Sequence, residues 1–170
     1  MPETLAAPTS LTDVRVSRAI ALIWREAELL DRKDYEVWET LYAEDGIYVI
    51  PIDPRIDDFD DALNMVYDDA RMRRMRVTRM TEGFALAAVD AATTVRTVSR
   101  FVPHAVTDES VHLRAAQVVV AYKRGTHHLW AADVEYVVRL GADSEADRLV
   151  RKVVRLVDAE DLVPAAGFLL

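Results

Sequence analysis

The groups able to do chemistry in this sequence are histidine nitrogens, a few carboxylates and an arginine run. His104, His112, His127 and His128 are its imidazoles, and a metal ion would be the first reason to gather them. His127 and His128 are adjacent, so a strand sends them to opposite faces. His104 and His112 flank a short loop, and no pair has the i, i+4 helical spacing of a zinc-protease helix. A two-histidine, one-carboxylate iron site would have to be assembled in space; the reading taken is surface or strand histidines. Asp31 and Asp34 bracket DRKD. A carboxylate there could be a general base if burial raised its pKa. Ending a helix is a role for the same residues that needs no chemistry, and sequence alone favours it. Asp53, Asp57, Asp58, Asp60, Asp61, Asp68 and Asp69 make an acidic stretch. It lacks the D-x-D-x-D-G spacing and closing glutamate of a calcium loop and reads as a solvated excursion.

The arginines are Arg71, Arg73, Arg74, Arg76 and Arg79, within YDDARMRRMRVTRMTEG. At 100° per residue Met72, Met75 and Met80 mark an apolar arc that contains Arg76 and Arg79. Arg71 and Arg74 fall opposite, with Arg73 near the edge. Asp68 and Asp69 fit the first turn, where the helix dipole favours negative charge. Asp69–Arg73 and Asp68–Arg71 have pairing spacings worth a few tenths of a kcal/mol. Solvated or paired surface is expected for Arg71, Arg73 and Arg74. Arginines beside methionines need a carboxylate or carbonyl partner, so Arg76 and Arg79 are candidates for buried or intersubunit ion pairs.

Bulk properties narrow the choices. The 170 residues carry a formal net charge of −8, which argues against nucleic-acid or anionic-membrane partners. There is no cysteine, so no disulfide, no catalytic thiol and no Rieske or other cysteine-ligated iron–sulfur cluster belongs on this chain. No secretory signal or membrane-length apolar run is visible, and a cytoplasmic location is expected.

The elements that must position these groups follow from periodicity. Residues 1–11 read as a flexible arm before a single domain over 12–170. Thr12 offers an N-cap, and Ile20, Ile23, Trp24, Ala27 and Leu30 predict an amphipathic helix over 13–30. A second helix spans 35–43 with Val37, Trp38 and Leu41 inside; Trp24 and Trp38 read as core. Asp45–Gly46 turns into a strand at 47–51. Residues 52–69 read as a long excursion with a short helical piece, and the arginine run as a third helix to about Thr81. Four strand-like segments follow, 93–106, 111–123, 127–140 and 148–157, joined by loops short enough for antiparallel neighbours. The tail ends in Phe168, Leu169 and Leu170, expected to pack on this domain or on a partner chain. Helices first and strands later imply an α+β domain, a curved antiparallel β-sheet packed against about three N-terminal helices.

These landmarks, in order, resemble the β (small) subunit of aromatic-ring-hydroxylating dioxygenases. EAELLDRKDYEVWETLYAEDGIYVIP (26–51) resembles that family's helix–helix–strand opening, and YDDARMRRMRVTRM (67–80) its Asp-Asp segment and Arg-rich R-V-x-R helix. VRTVSRFV (95–102) resembles the strand that usually reads R-H-x-V-S-N, although Arg96 and Arg100 stand where the family has His and Asn. AAVDAATT (87–94) replaces the Asp-Pro-rich loop frequent before that strand. VRLVDAEDLVPAAGFLL (154–170) resembles the closing strand, Leu-Asp motif and apolar end. The resemblance implies a cystatin-like cone, also found in nuclear-transport-factor-2-like proteins. It implies assembly with a large α subunit, commonly as three α and three β chains, so a trimer of β chains is expected. The Rieske [2Fe-2S] cluster and mononuclear Fe(II) are expected on α, with no cofactor and no catalytic residue on this chain. Such holoenzymes add both atoms of O₂ to an aromatic ring, in aromatic compound catabolism. Arg76, Arg79, Phe168, Leu169 and Leu170 are the subunit-interface candidates.

Two other readings stay open at this stage. In dehydratases of this fold, an Asp at the end of the first helix works with a strand histidine. Asp31 matches the first position, but the second holds Arg96, which cannot act as a base. A stand-alone dehydratase- or isomerase-like enzyme would instead use Asp31 and Tyr48 for proton transfer. The third reading is a homo-oligomer binding a small ligand.

Overall fold

The computed structural model describes residues 10–87, 92–159 and 168–170. The expected arm therefore lies outside the described residues up to position 9. Helix α1 (Val14–Arg32) is capped by Asp13, not Thr12: the Asp13 carboxylate accepts from the Arg15 amide at 2.9 Å. Its last turn closes on Lys33, which adopts a left-handed conformation with φ 60°. The Asp34 amide then donates to Leu29 O at 2.9 Å and the Lys33 amide to Leu30 O at 3.1 Å, the paired bonds of a Schellman stop. DRKD thus ends a helix, as its composition suggested.

Helix α2 (Tyr35–Thr40) is shorter than expected, because β1 (Tyr42–Pro51) begins at once. Asp45 and Gly46, read from sequence as a turn, instead bulge within β1, where its register against β6 shifts between Tyr42 and Ile47. Gly46 is required there: a Cβ would lie 2.8 Å from Leu149 O and 2.9 Å from Ala43 O. The acidic excursion holds no helix. It leads into β2 (Asn64–Asp68), which pairs antiparallel with β1. Helix α3 (Ala70–Ala87) runs past the expected end near Thr81.

Strands β3 (Thr93–Val106), β4 (Ser110–Lys123), β5 (Thr126–Arg139) and β6 (Arg148–Leu156) match the four strand-like segments nearly residue for residue. The β4–β5 hairpin turns on Arg124 (φ 50°) and Gly125 (φ 79°), the two positive-φ residues of a type I′ turn. The sheet order is β2-β1-β6-β5-β4-β3. Neighbours are antiparallel except β1 and β6, which run parallel. Helices α1 and α3 lie on one side of this curved open sheet, and the main core forms between them and the inward-facing residues of every long strand.

Candidate functional site

The centre of the concave face is built by register. Tyr48 on β1, Lys152 on β6, Tyr136 on β5 and Leu113 on β4 are successive cross-strand partners. Side chains aligned on one rung share a face, so two phenols flank one ammonium at the bottom of the sheet. A second rung aligns Arg96, Val119 and Trp130 on β3, β4 and β5. From the helix side α1 contributes Glu26, whose position between Ile23 and Leu30 puts it on the buried stripe.

Glu26 and Lys152 are both fully buried and pair closely. The Lys152 ammonium donates to Oε1 at 2.8 Å and Oε2 at 3.0 Å. Trp38 Nε1 donates to Glu26 Oε1 at 3.0 Å, and the Tyr42 hydroxyl reaches it at 3.4 Å. A buried carboxylate needs this many donors to offset its lost hydration. Burial pushes the Lys152 pKa below its ordinary value, and Glu26 only partly restores it. The Tyr42, Tyr48 and Tyr136 phenols are pushed upward by burial, with the Glu26 charge adding to it.

The tail seals this centre. Phe168, Leu169 and Leu170 are buried in the single chain. Tyr48 Oη donates to Leu170 O at 3.0 Å and accepts from the Leu170 amide at 3.2 Å; Lys152 donates to the same oxygen at 3.0 Å. Arg96 Nη1 donates to Leu169 O at 3.1 Å, and the Phe168 ring meets Trp130 edge-on at 5.0 Å. Of the two partners the tail was expected to choose between, it packs on its own domain. The side chains of Phe168, Leu169 and Leu170 are thus spent in this core within the single chain.

Asp31 and Tyr48, the proton-transfer pair considered from sequence, join one hydrogen-bonded network through Arg96 and the tail. The Asp31 carboxylate accepts from Thr94 Oγ1 at 2.8 Å, the Arg96 amide at 2.9 Å and Arg96 Nε at 2.8 Å. It borders an open groove of about 650 Å³ with Trp24, Glu28 and Arg96. Tyr48 lies beneath the tail, so Arg96, Leu169 and Leu170 stand between the two. Trp24, expected in the core, is 56% exposed. Its indole N–H donates to Val98 O at 3.1 Å and its ring packs edge-on against Phe101. Asp31 and Trp24 thereby satisfy main-chain groups along the free edge of β3, which would otherwise invite a foreign strand. Val37 is likewise exposed rather than inside.

The arginine helix divides differently from its sequence reading. Its inward face is Ala70, Arg73 and Val77, while Met75 and Arg79 are exposed. Arg73, assigned from sequence to the surface, is completely buried. Its guanidinium donates to Gly46 O and, at 3.1 Å, to Ala43 O, and it lies 4.5 Å from the Tyr42 ring centroid. Those are carbonyls of the β1 bulge, which a bulge removes from the ladder. Arg76 pairs within the chain with Asp68, a fully buried carboxylate at the end of β2 and not in the helix's first turn. The helix-start role falls to Asp69, whose carboxylate accepts from the Met72 amide at 2.8 Å. Arg79 remains outside, available to another molecule.

The acidic excursion is pinned rather than free. Arg155 on the outer side of β6 donates to Pro54 O, Ile56 O, Asp57 and Glu135. Phe59 packs with Val49 and Val153 in a small second core on that side. The four histidines are exposed, and among the described residues no group of three His, Cys, Asp or Glu side chains could hold a metal ion. With no cysteine in the sequence, the described residues fit neither a cysteine-ligated iron–sulfur cluster nor a mononuclear iron. No described helix is long and apolar enough to cross a membrane.

Helices over a curved open sheet with a sealed polar centre define a cystatin-like α+β protein. A 17%-identical cystatin-like, NTF2-like protein from Novosphingobium aromaticivorans superposes with a TM-score of 0.59, covering 88% of this chain and 93% of its own. The β subunit of benzoate 1,2-dioxygenase from Burkholderia mallei superposes better, at 0.74, with 20% identity and coverage of 92% and 97%. The family model for the ring hydroxylating beta subunit matches residues 25–160. The small oxygenase component of the p-cumate 2,3-dioxygenase system of Pseudomonas putida is 32% identical over 120 residues, 69% of this chain and 67% of that protein. The chain belongs to the ring-hydroxylating β-subunit family and is the small subunit of an aromatic-ring-hydroxylating dioxygenase. A β subunit of an oxygenase component has an α subunit as its partner.

Sequence reasoning missed Glu26, Lys152 and Arg73 as the buried charges that organise this site. A signal for two of them was present: Glu26 interrupts the apolar stripe of α1, and Lys152 holds an inward position of an alternating strand.

Proposed function

We propose that this chain is the non-catalytic subunit of its dioxygenase, holding the large subunit in its oligomer while the Rieske [2Fe-2S] cluster and the mononuclear Fe(II) act on that subunit. The observation that carries the reading is the family match over residues 25–160, joined to buried ion pairs, Glu26–Lys152 and Asp68–Arg76, that are spent within the fold. A continuous exposed apolar row supports assembly. Val95 on β3, Val120 on β4 and Leu129 on β5 are cross-strand partners on the outer face, and such rows in soluble proteins mark protein contacts. Self-association as a trimer would use surface of this kind, and Arg79 would serve as an intersubunit ion-pair donor. The net charge of −8 supports a protein without nucleic-acid or anionic-membrane partners.

Co-expression with a candidate large-subunit gene, followed by size-exclusion chromatography, tests this. Co-elution in one high-mass species is expected, with iron bound only when the large subunit is present. A chain that elutes alone beside a folded large subunit overturns the reading.

A further inference from the structure

We propose that the centre of the concave face is a binding site for a small aromatic carboxylate, and that Phe168–Leu170 is an internal plug which such a ligand displaces. The polar contacts of the plug with the sheet run through main-chain atoms. Two main-chain oxygens, the carbonyl of Leu169 and an oxygen of Leu170, the last residue of the sequence, receive Arg96, Lys152 and Tyr48, which come from three different strands. A donor array converging on main-chain oxygens suits a ligand carboxylate in their place. Glu26 and Asp31 pair with the two cations and keep them in place, so the array is organised before anything enters.

The plug leaves part of that array unused. Arg96 Nη2, Trp130 Nε1 and the Tyr136 hydroxyl are buried without a hydrogen-bond partner among the described residues, as is Gln117 Oε1. Arg96, Trp130 and Tyr136 belong to the two inward rungs, and Gln117 is inward on β4 between Val98 and Ala132. Buried polar groups are ordinarily satisfied, and here the unpaired donors outnumber the unpaired acceptor, which favours an oxygen-rich anionic occupant. The body of the ligand follows from Phe168: its ring sits edge-on to Trp130, a slot shaped for an aromatic ring. This site needs no large subunit, so the inference stands apart from the assembly reading.

The test uses 3-phenylpropanoate as the probe and calorimetry as the readout. The chain shortened to end at Gly167, shown folded by circular dichroism, is expected to bind the probe about tenfold more tightly than the full chain. The neutral 3-phenylpropanamide is expected to bind the shortened chain about tenfold more weakly than the acid. The Glu26→Gln/Lys152→Met double variant of the shortened chain, which leaves neither charge unpaired, is expected to lose the gain. Should shortening prevent folding, the full chain carrying Phe168→Ala replaces it, with tighter binding than the unsubstituted chain expected. A folded shortened chain with no gain, equal binding of acid and amide, or a gain that survives the double variant overturns the proposal. So does a Phe168→Ala chain that binds no better than the original.

Discussion

The two faces of the sheet solve opposite problems. The concave face buries charge: Lys152 against Glu26 and Arg96 against Asp31, with each ion pair further hydrogen-bonded. The outer face leaves apolar surface in water, with Val95 and Leu129 each more than 60% exposed. Among the described residues, only beside β1 and β6 does the outer face gain a cover, the acidic segment held by Phe59 and Arg155. Buried ion pairs are weak contributors to net stability but costly to break. Exposed apolar rows do little for the isolated chain and matter when a partner covers them. The inner face therefore fixes the fold, and the outer face is free to serve assembly.

The largest effect should come from leaving one buried charge alone. Glu26→Ala strands the Lys152 ammonium and removes the acceptor of Trp38 Nε1, and is expected to cost about 3–5 kcal/mol in urea unfolding. The double Glu26→Gln/Lys152→Met variant should recover much of that loss; if it does not, the pair is not what the concave face depends on. The same face predicts alkaline behaviour. Unfolded phenols ionise near pH 10, and burial raises the folded values of Tyr42, Tyr48 and Tyr136. Raised folded values mean that their contribution is complete below pH 10 and is lost as pH climbs above it. Lys152, lowered by burial, has the opposite sign, one amine against three phenols. Absorbance at 295 nm should show those three tyrosines ionising only as circular dichroism reports unfolding. Smooth titration in the folded state would mean an open centre.

An intermediate effect is expected at the seam between α3 and β1. Arg73→Met keeps the stem of the side chain but leaves Ala43 O and Gly46 O without their donor. The expected cost is about 2 kcal/mol, with Arg74→Ala near zero because Arg74 pairs with Glu44 in solvent. Equal losses at the two positions would restore the surface assignment of Arg73.

The contrast between strands and charges also explains what the sequence disclosed. The four later strands were legible because β-branched runs such as TTVRTV and the alternation of VHLRAAQV, bounded by turn residues, read as strands. The parallel pairing of β1 with β6 was not, since it depends on a crossover through the whole domain. Arg73 was placed on the surface because the methionines were taken as the inner arc. What draws it inward is a pair of carbonyls released by the bulge at Gly46, about thirty residues upstream, and nothing local to the helix. Glu26 and Lys152 were each visible as a polar residue in an apolar row. Their pairing, across 126 residues, required the fold.

The smallest effect on the chain itself, and the sharpest separation of the two faces, is expected from Leu129→Lys. Leu129 lies on the outer face, 63% exposed, opposite Val120, which in turn faces Val95. Replacing an exposed apolar residue on a strand away from buried networks changes stability by about 0.5 kcal/mol or less. The urea midpoint of the isolated chain should therefore stay put. If the row is covered in the oligomer, a lysine there must lose its hydration without a counter-charge, and co-elution with the large subunit or with other copies of this chain should fall. A variant that assembles normally would remove this row from the interface. One that unfolds the chain would show that the outer face, too, holds the fold together.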